Sequence, residues 1–185
     1  MRYPSKEYFT IPNILSYIRL LLIPVFLFLY LNAETPRDYL WAAAVILLSG
    51  LTDFVDGQIA RRCNMVTEWG KLIDPIADKF TQAAVLFALV VRVKWMWLLA
   101  LLLVVKELMM AACGLFFLRK GKKLDGAKWF GKISTTVFYF CTFVLVAVPT
   151  LDQTFTYILM AVTGFFLALS MVLYSSVFWN MHKED

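Results

Sequence analysis

Six long apolar runs constrain this chain more than any other feature. They extend from about residue 13 to 31, 39 to 60, 71 to 91, 96 to 118, 133 to 148 and 154 to 179. Most are long enough to cross roughly 30 Å of hydrocarbon as a helix. In lipid only helices and closed barrels satisfy their own backbone hydrogen bonds. Apolar residues make up 61% of the 185, against roughly 45–50% in a soluble globular domain, so a water-soluble core is excluded. The pattern predicts an all-α membrane protein of six transmembrane helices, forming a single domain over 1–185. The first run carries Arg19 and lacks a small-residue cleavage site, so it reads as a retained span and not a signal peptide. The short polar and aromatic segment from Arg2 to Tyr8 reads as an interfacial helix.

The net charge of +5 is informative through its distribution. One set of connections holds Arg2, Lys6, Arg61, Arg62, Lys71, Arg119, Lys120, Lys122, Lys123, Lys128, Lys132 and Lys183. The opposite set holds Arg37, Arg92 and Lys94, with Trp41, Trp95 and Trp97 nearby as an aromatic belt. Basic residues accumulate on the cytoplasmic side, which places both termini there. The charge therefore reports topology and not nucleic-acid binding. Cys63, Cys113 and Cys141 have no zinc-site or disulfide spacing, and His182 is a lone tail residue.

Against this apolar background, the stretch DFVDGQIARRCNMVTEWGKLIDPIAD from Asp53 to Asp78 stands out. On a helix, Asp53 and Asp56 lie about 60° apart, and Asp74 and Asp78 about 40° apart, so each pair shares a face. The short loop between them lets the third span fold back beside the second, so the pairs converge at the cytoplasmic boundary. Four neighbouring carboxylates raise one another's pKa and need counter-charge. Mg²⁺ or Mn²⁺, which prefer carboxylate and phosphate oxygen, supply it, and two such ions form a phosphoryl-transfer clamp. Gly57, Ala60 and Gly70 leave room for a ligand against the backbone, and Arg61 suits phosphate oxygens. A solvated acidic collar, an ion path in a transporter, and pairing with basic residues are the alternatives on these residues alone.

The spacing Asp53-x2-Asp56-Gly57-x2-Ala60-Arg61-x8-Gly70-x3-Asp74-x3-Asp78 resembles the signature of the CDP-alcohol phosphatidyltransferases at every fixed position. That resemblance implies transfer of a phosphatidyl group from CDP-diacylglycerol to an alcohol, with release of CMP. It implies Asp53, Asp56, Asp74 and Asp78 as ligands of a divalent pair, with Asp78 also the base for the acceptor hydroxyl. It places Gly57, Ala60, Arg61, Thr67, Gly70 and Asn13 on the donor side. It further implies a homodimer in the bacterial cytoplasmic membrane with its site facing the cytoplasm.

The acceptor is read from other residues. Through Pro12, Asn13, Ser16, Arg19 and Pro24, the opening IPNILSYIRLLLIP is similar to bacterial phosphatidylglycerophosphate synthases, which implies glycerol 3-phosphate. Arg19, Lys106 and Lys132 are the candidate contacts to its phosphate. Lys106-Glu107 stands where that group carries Arg-Glu, and lysine lacks the bidentate fork. The alternative is a cardiolipin-synthase-type member using phosphatidylglycerol.

Overall fold

The computed structural model describes residues 9–63, 65–120 and 128–183. Their regular structure is entirely helical: α1 (Ile11–Leu31), α2 (Pro36–Arg62), α3 (Glu68–Arg92), α4 (Met96–Arg119), α5 (Trp129–Ala147) and α6 (Gln153–Lys183). The helices begin and end within a few residues of the predicted spans, and most of them run beyond the apolar stretch. Five are long and apolar enough to cross a membrane; α3 falls outside that set. The reason is its first half, which carries Glu68, Lys71, Asp74, Asp78 and Lys79. The predicted interfacial helix at Arg2–Tyr8 and the basic residues 122 and 123 lie outside the described residues.

The chain divides into two compact units. One comprises α1, α2 and α3 as far as Ala88, together with Val146–Thr150; the other takes Leu89–Leu145 and continues from Leu151.

In the first unit, each helix start has a local cause. Pro12 occupies the first turn of α1, where its missing N–H costs no hydrogen bond. Pro36 begins α2 behind a capping box, in which Asp38 accepts from the Thr35 backbone N–H and hydroxyl at 2.8 Å each. The Thr67 hydroxyl accepts from Gly70 N–H at 2.9 Å, which makes it the N-cap of α3. The α1–α2 turn closes over Tyr30 and Tyr39, whose rings meet edge to face with centroids 5.4 Å apart. The outer side of α1 leaves Ile14, Ile18, Leu21, Val25 and Phe28 exposed. In water such a stripe would be a liability; in a bilayer it is the lipid-facing surface.

In the second unit, α4 and α6 pack through Phe117, Tyr174 and Phe178, with Met109, Met110, Cys113, Phe130 and Met181 against them. Phe117 and Phe178 stack at 5.8 Å. The start of α5 is fitted to α6: a Cβ on Gly131 would run into the Tyr174 hydroxyl. That hydroxyl also accepts from Lys128 N–H at 3.3 Å. Between α3 and α4 the chain turns at Trp95, a non-glycine residue with φ of 68°.

Candidate active site

The first unit gathers the acidic stretch around one side of α1. Asn13, Ser16 and Arg19 recur at helical spacing and all three are buried, although they sit in an otherwise apolar helix. Each of these polar groups has a partner on α2 or α3 or at the start of α3. Asn13 Nδ2 donates to Thr67 Oγ1 at 3.1 Å. Ser16 Oγ donates to Asp74 Oδ1 at 2.6 Å. Beside them, Trp69 Nε1 donates to the Tyr17 hydroxyl at 2.7 Å.

Arg19 is the centre of this arrangement. Only 1% of it is exposed. Nη1 donates to Asp78 Oδ1 at 2.9 Å and Nη2 to Asp56 Oδ2 at 2.5 Å. Nη2 also lies 2.7 Å from Asp53 Oδ1. Nε is buried and has no hydrogen-bond partner among the described residues. Asp56 is nearly as buried as the arginine, whereas the side chains of Asp53 and Asp78 are 49% and 43% exposed. The charges of Asp53 and Asp74 both act on Asp56 and on Asp78. All four aspartates therefore belong to one electrostatic cluster, as their spacing predicts, with two of them open at its edge.

Several residues expected at the site are placed differently. Arg19, expected as an acceptor contact, is instead committed to three of the chain's own carboxylates; a lone guanidinium in an apolar helix needs an anion, and these are the anions it finds. Gly70 is buried, and a Cβ there would lie 2.7 Å from Asn13 Oδ1 and 3.1 Å from Thr67 Oγ1. Its smallness admits α1, so the cleared surface predicted for a ligand is filled by Asn13. Thr67 and Asn13, both expected on the donor side, bond to each other. Gly57 lies beneath the Arg61 guanidinium, whose Nη2 would be 3.5 Å from an added Cβ. Ala60 is partly exposed on the same helix, one residue before exposed Arg61. Lys106 and Lys132 belong to the second unit. Lys106 is buried and pairs with Glu107 at 3.1 Å, and Lys132 is exposed in the first turn of α5.

The sequence alone gives no site role to Ser16, Tyr17 or Trp69. The available signal for Ser16 was its position one turn before Arg19, on the same side of an apolar helix.

The donor set is entirely carboxylate oxygen, the chemistry that suits Mg²⁺ or Mn²⁺. A guanidinium already draws three of the carboxylates onto one cation, so the cluster fits positive charge. Among the described residues no three acidic, His or Cys side chains stand ready to close on a single ion. Asp53, Asp56 and Asp78 each present one oxygen to Arg19 instead.

Fold and site together define a helical membrane protein with an acidic cluster gathered on a buried arginine, at the junction of α1, α2 and α3. The profile of the CDP-alcohol phosphatidyltransferase family matches residues 9–174, across both units, and the chain belongs to that family. A relative from Streptomyces coelicolor, named cardiolipin synthase (CMP-forming), is 36% identical over 137 residues, covering 72% of this chain and 63% of that protein. A relative from Escherichia coli K12, named CDP-diacylglycerol–glycerol-3-phosphate 3-phosphatidyltransferase, is 31% identical over 131 residues, covering 69% of this chain and 71% of that protein.

Proposed function

We propose that this protein transfers a phosphatidyl group from CDP-diacylglycerol to a glycerol hydroxyl, releasing CMP. The observation that carries this reading is the convergence of the family's aspartates, Asp53, Asp56, Asp74 and Asp78, into one cluster, with Asp78 at its open edge. The acceptor oxygen attacks the phosphorus of the phosphatidyl group, and the bond from that phosphorus to the CMP oxygen breaks. Asp78 takes the hydroxyl proton, since an unactivated alcohol needs a base within hydrogen-bond reach. Arg61, whose guanidinium lies over Gly57, would meet the pyrophosphate, and Ala60, with its small side chain, would leave room for the donor beside it. Asp53, Asp56, Asp74 and Asp78 would hold two Mg²⁺ or Mn²⁺ ions. Bound there, such ions neutralise the charge that develops on the pyrophosphate and the leaving CMP.

Glycerol 3-phosphate is the first reading for the acceptor, supported by the opening of α1 and by the Escherichia coli relative. By their charge alone, Lys106 and Lys132 are the candidate contacts to its phosphate. Phosphatidylglycerol is the second reading. It is favoured by the Streptomyces coelicolor relative and by the Lys106–Glu107 pair, in which the lysine charge is already met. Both acceptors offer a glycerol esterified to phosphate. Purified protein supplied with CDP-diacylglycerol, Mg²⁺ and one acceptor at a time separates them, because the acceptor that releases CMP is the substrate. No release with either acceptor would sink both readings.

The proposed setting is a bacterial cytoplasmic membrane crossed six times by one catalytic domain. Both termini and the cluster face the cytoplasm, and α3 is the third of the six crossings, with its charged half at the boundary. A homodimer is the proposed assembly. A site at this depth suits a donor whose acyl chains stay in the bilayer while its nucleotide is in water.

A further inference from the structure

We infer that Arg19 is a positioning residue of the active site, fixing Asp56 on α2 and Asp78 on α3 relative to each other. The inference rests on the proposed roles of those aspartates and adds a part played by α1. The guanidinium is a rigid planar fork, and its two terminal nitrogens reach carboxylates on two different helices, at 2.9 Å on Asp78 and 2.5 Å on Asp56. A contact from Nη2 to Asp53 at 2.7 Å adds the second acid of α2. The fork thereby sets the spacing between the acidic sides of α2 and α3 without relying on the connection that joins them.

Arg19 is itself held in place. One turn earlier Ser16 is bonded to Asp74, and one turn before that Asn13 is bonded to Thr67, so α1 is pinned to α3 ahead of the arginine. Its burial means that it does not wander in solvent, and its charge offsets part of the repulsion among four acids. Arg19 takes Oδ1 of Asp78, Oδ2 of Asp56 and Oδ1 of Asp53, which orients the second oxygen of each. On Asp78 this holds in place the carboxylate that the proposed reaction uses as base. Groups that orient ligands from behind are worth roughly 10- to 100-fold in metal affinity or activity.

Arg19→Lys keeps the charge and removes the fork, and Arg19→Gln removes both. Mn²⁺ binding is measured on purified protein by the loss of the free-ion EPR signal, without turnover. With Arg19→Lys we expect Mn²⁺ affinity and kcat each to fall by roughly 10- to 100-fold, with the acceptor KM little changed. Arg19→Gln should be worse on both. Arg19→Lys with wild-type affinity and kcat would overturn the inference. So would a raised acceptor KM at constant kcat, which would make Arg19 a substrate contact. If Arg19→Lys loses its fold, recovery in Mn²⁺ supports the positioning role, and no recovery contradicts it by making the residue merely structural. Wild-type protein that binds no Mn²⁺ also overturns it. Wild-type protein that binds Mn²⁺ but releases no CMP would sink the proposed reaction, while the binding comparison would still decide the role of Arg19.

Discussion

Ser16 on α1 donates a 2.6 Å hydrogen bond to Asp74 on α3. The bond joins a helix with no acidic residue to the acidic pair of another. Ser16 is fully buried, so its hydroxyl has no water to fall back on. Hydrogen bonds to charged groups contribute roughly 1.5–3 kcal/mol. Ser16→Ala should lower stability by about that amount and should also reduce turnover, because Asp74 loses an orienting donor. Thermal unfolding in detergent and a CMP-release assay check the two effects. Unchanged stability would mean that the bond contributes nothing net.

Gly70→Ala and Gly57→Ala should separate two uses of glycine in the same stretch. At Gly70 the added methyl meets Asn13 Oδ1 at 2.7 Å. Asn13 is buried and bonded to Thr67, so it cannot swing clear without losing that bond. Overpacking of this kind costs about 1–3 kcal/mol, read as a lower unfolding temperature. At Gly57 the methyl meets only the Arg61 guanidinium, at an ordinary 3.5 Å, and alanine in a helix gains about 0.5–1 kcal/mol over glycine. Gly57→Ala should therefore hold or raise stability while increasing the KM for CDP-diacylglycerol. Equal stability losses at both positions would contradict this division.

The α5–α6 contact should fail at Gly131. Alanine there drives a methyl into the Tyr174 ring, with Cε2 at 3.0 Å and Cζ at 3.1 Å. Gly131→Ala should cost about 1–3 kcal/mol, and less in a Tyr174→Leu background. A double-mutant cycle with no coupling would show that the two residues do not meet.

Cys63 is exposed at the end of α2, and Cys141 is buried in α5. If the acidic cluster faces the cytoplasm, a membrane-impermeant maleimide should label Cys63 in inside-out vesicles and not in intact spheroplasts. Cys141 should stay unlabelled in both until the protein is denatured. Labelling of Cys63 from outside would reverse the orientation.

Much of this was legible in the sequence, because the dominant forces were local or strongly patterned. Apolar length located the helices, and helical spacing put Asp53 with Asp56 and Asp74 with Asp78. Arg19 was harder. A cation in an apolar helix announces that it needs an anion, but substrate phosphate and protein carboxylate satisfy that need equally well, and only the fold chooses between them. Gly70 was ambiguous for a similar reason: a missing side chain makes room without saying whether a ligand or Asn13 fills it. Thr67 could have been read as a helix cap from its place just before α3, but a hydroxyl in a loop between acidic pairs also suggests a substrate contact. The charged first half of α3 weakened the apolar signal where function placed polar residues.

The decisive measurement is CMP release from CDP-diacylglycerol by purified wild-type protein and Asp78→Asn, in Mg²⁺ or Mn²⁺, with glycerol 3-phosphate or phosphatidylglycerol. The wild type should release CMP with one acceptor, and none when EDTA removes the divalent ion. Asp78→Asn, with an unfolding temperature close to wild type, should be slower by about 100-fold or more. Near-normal turnover by Asp78→Asn, or no CMP from folded wild-type protein with either acceptor, would overturn the proposed reaction.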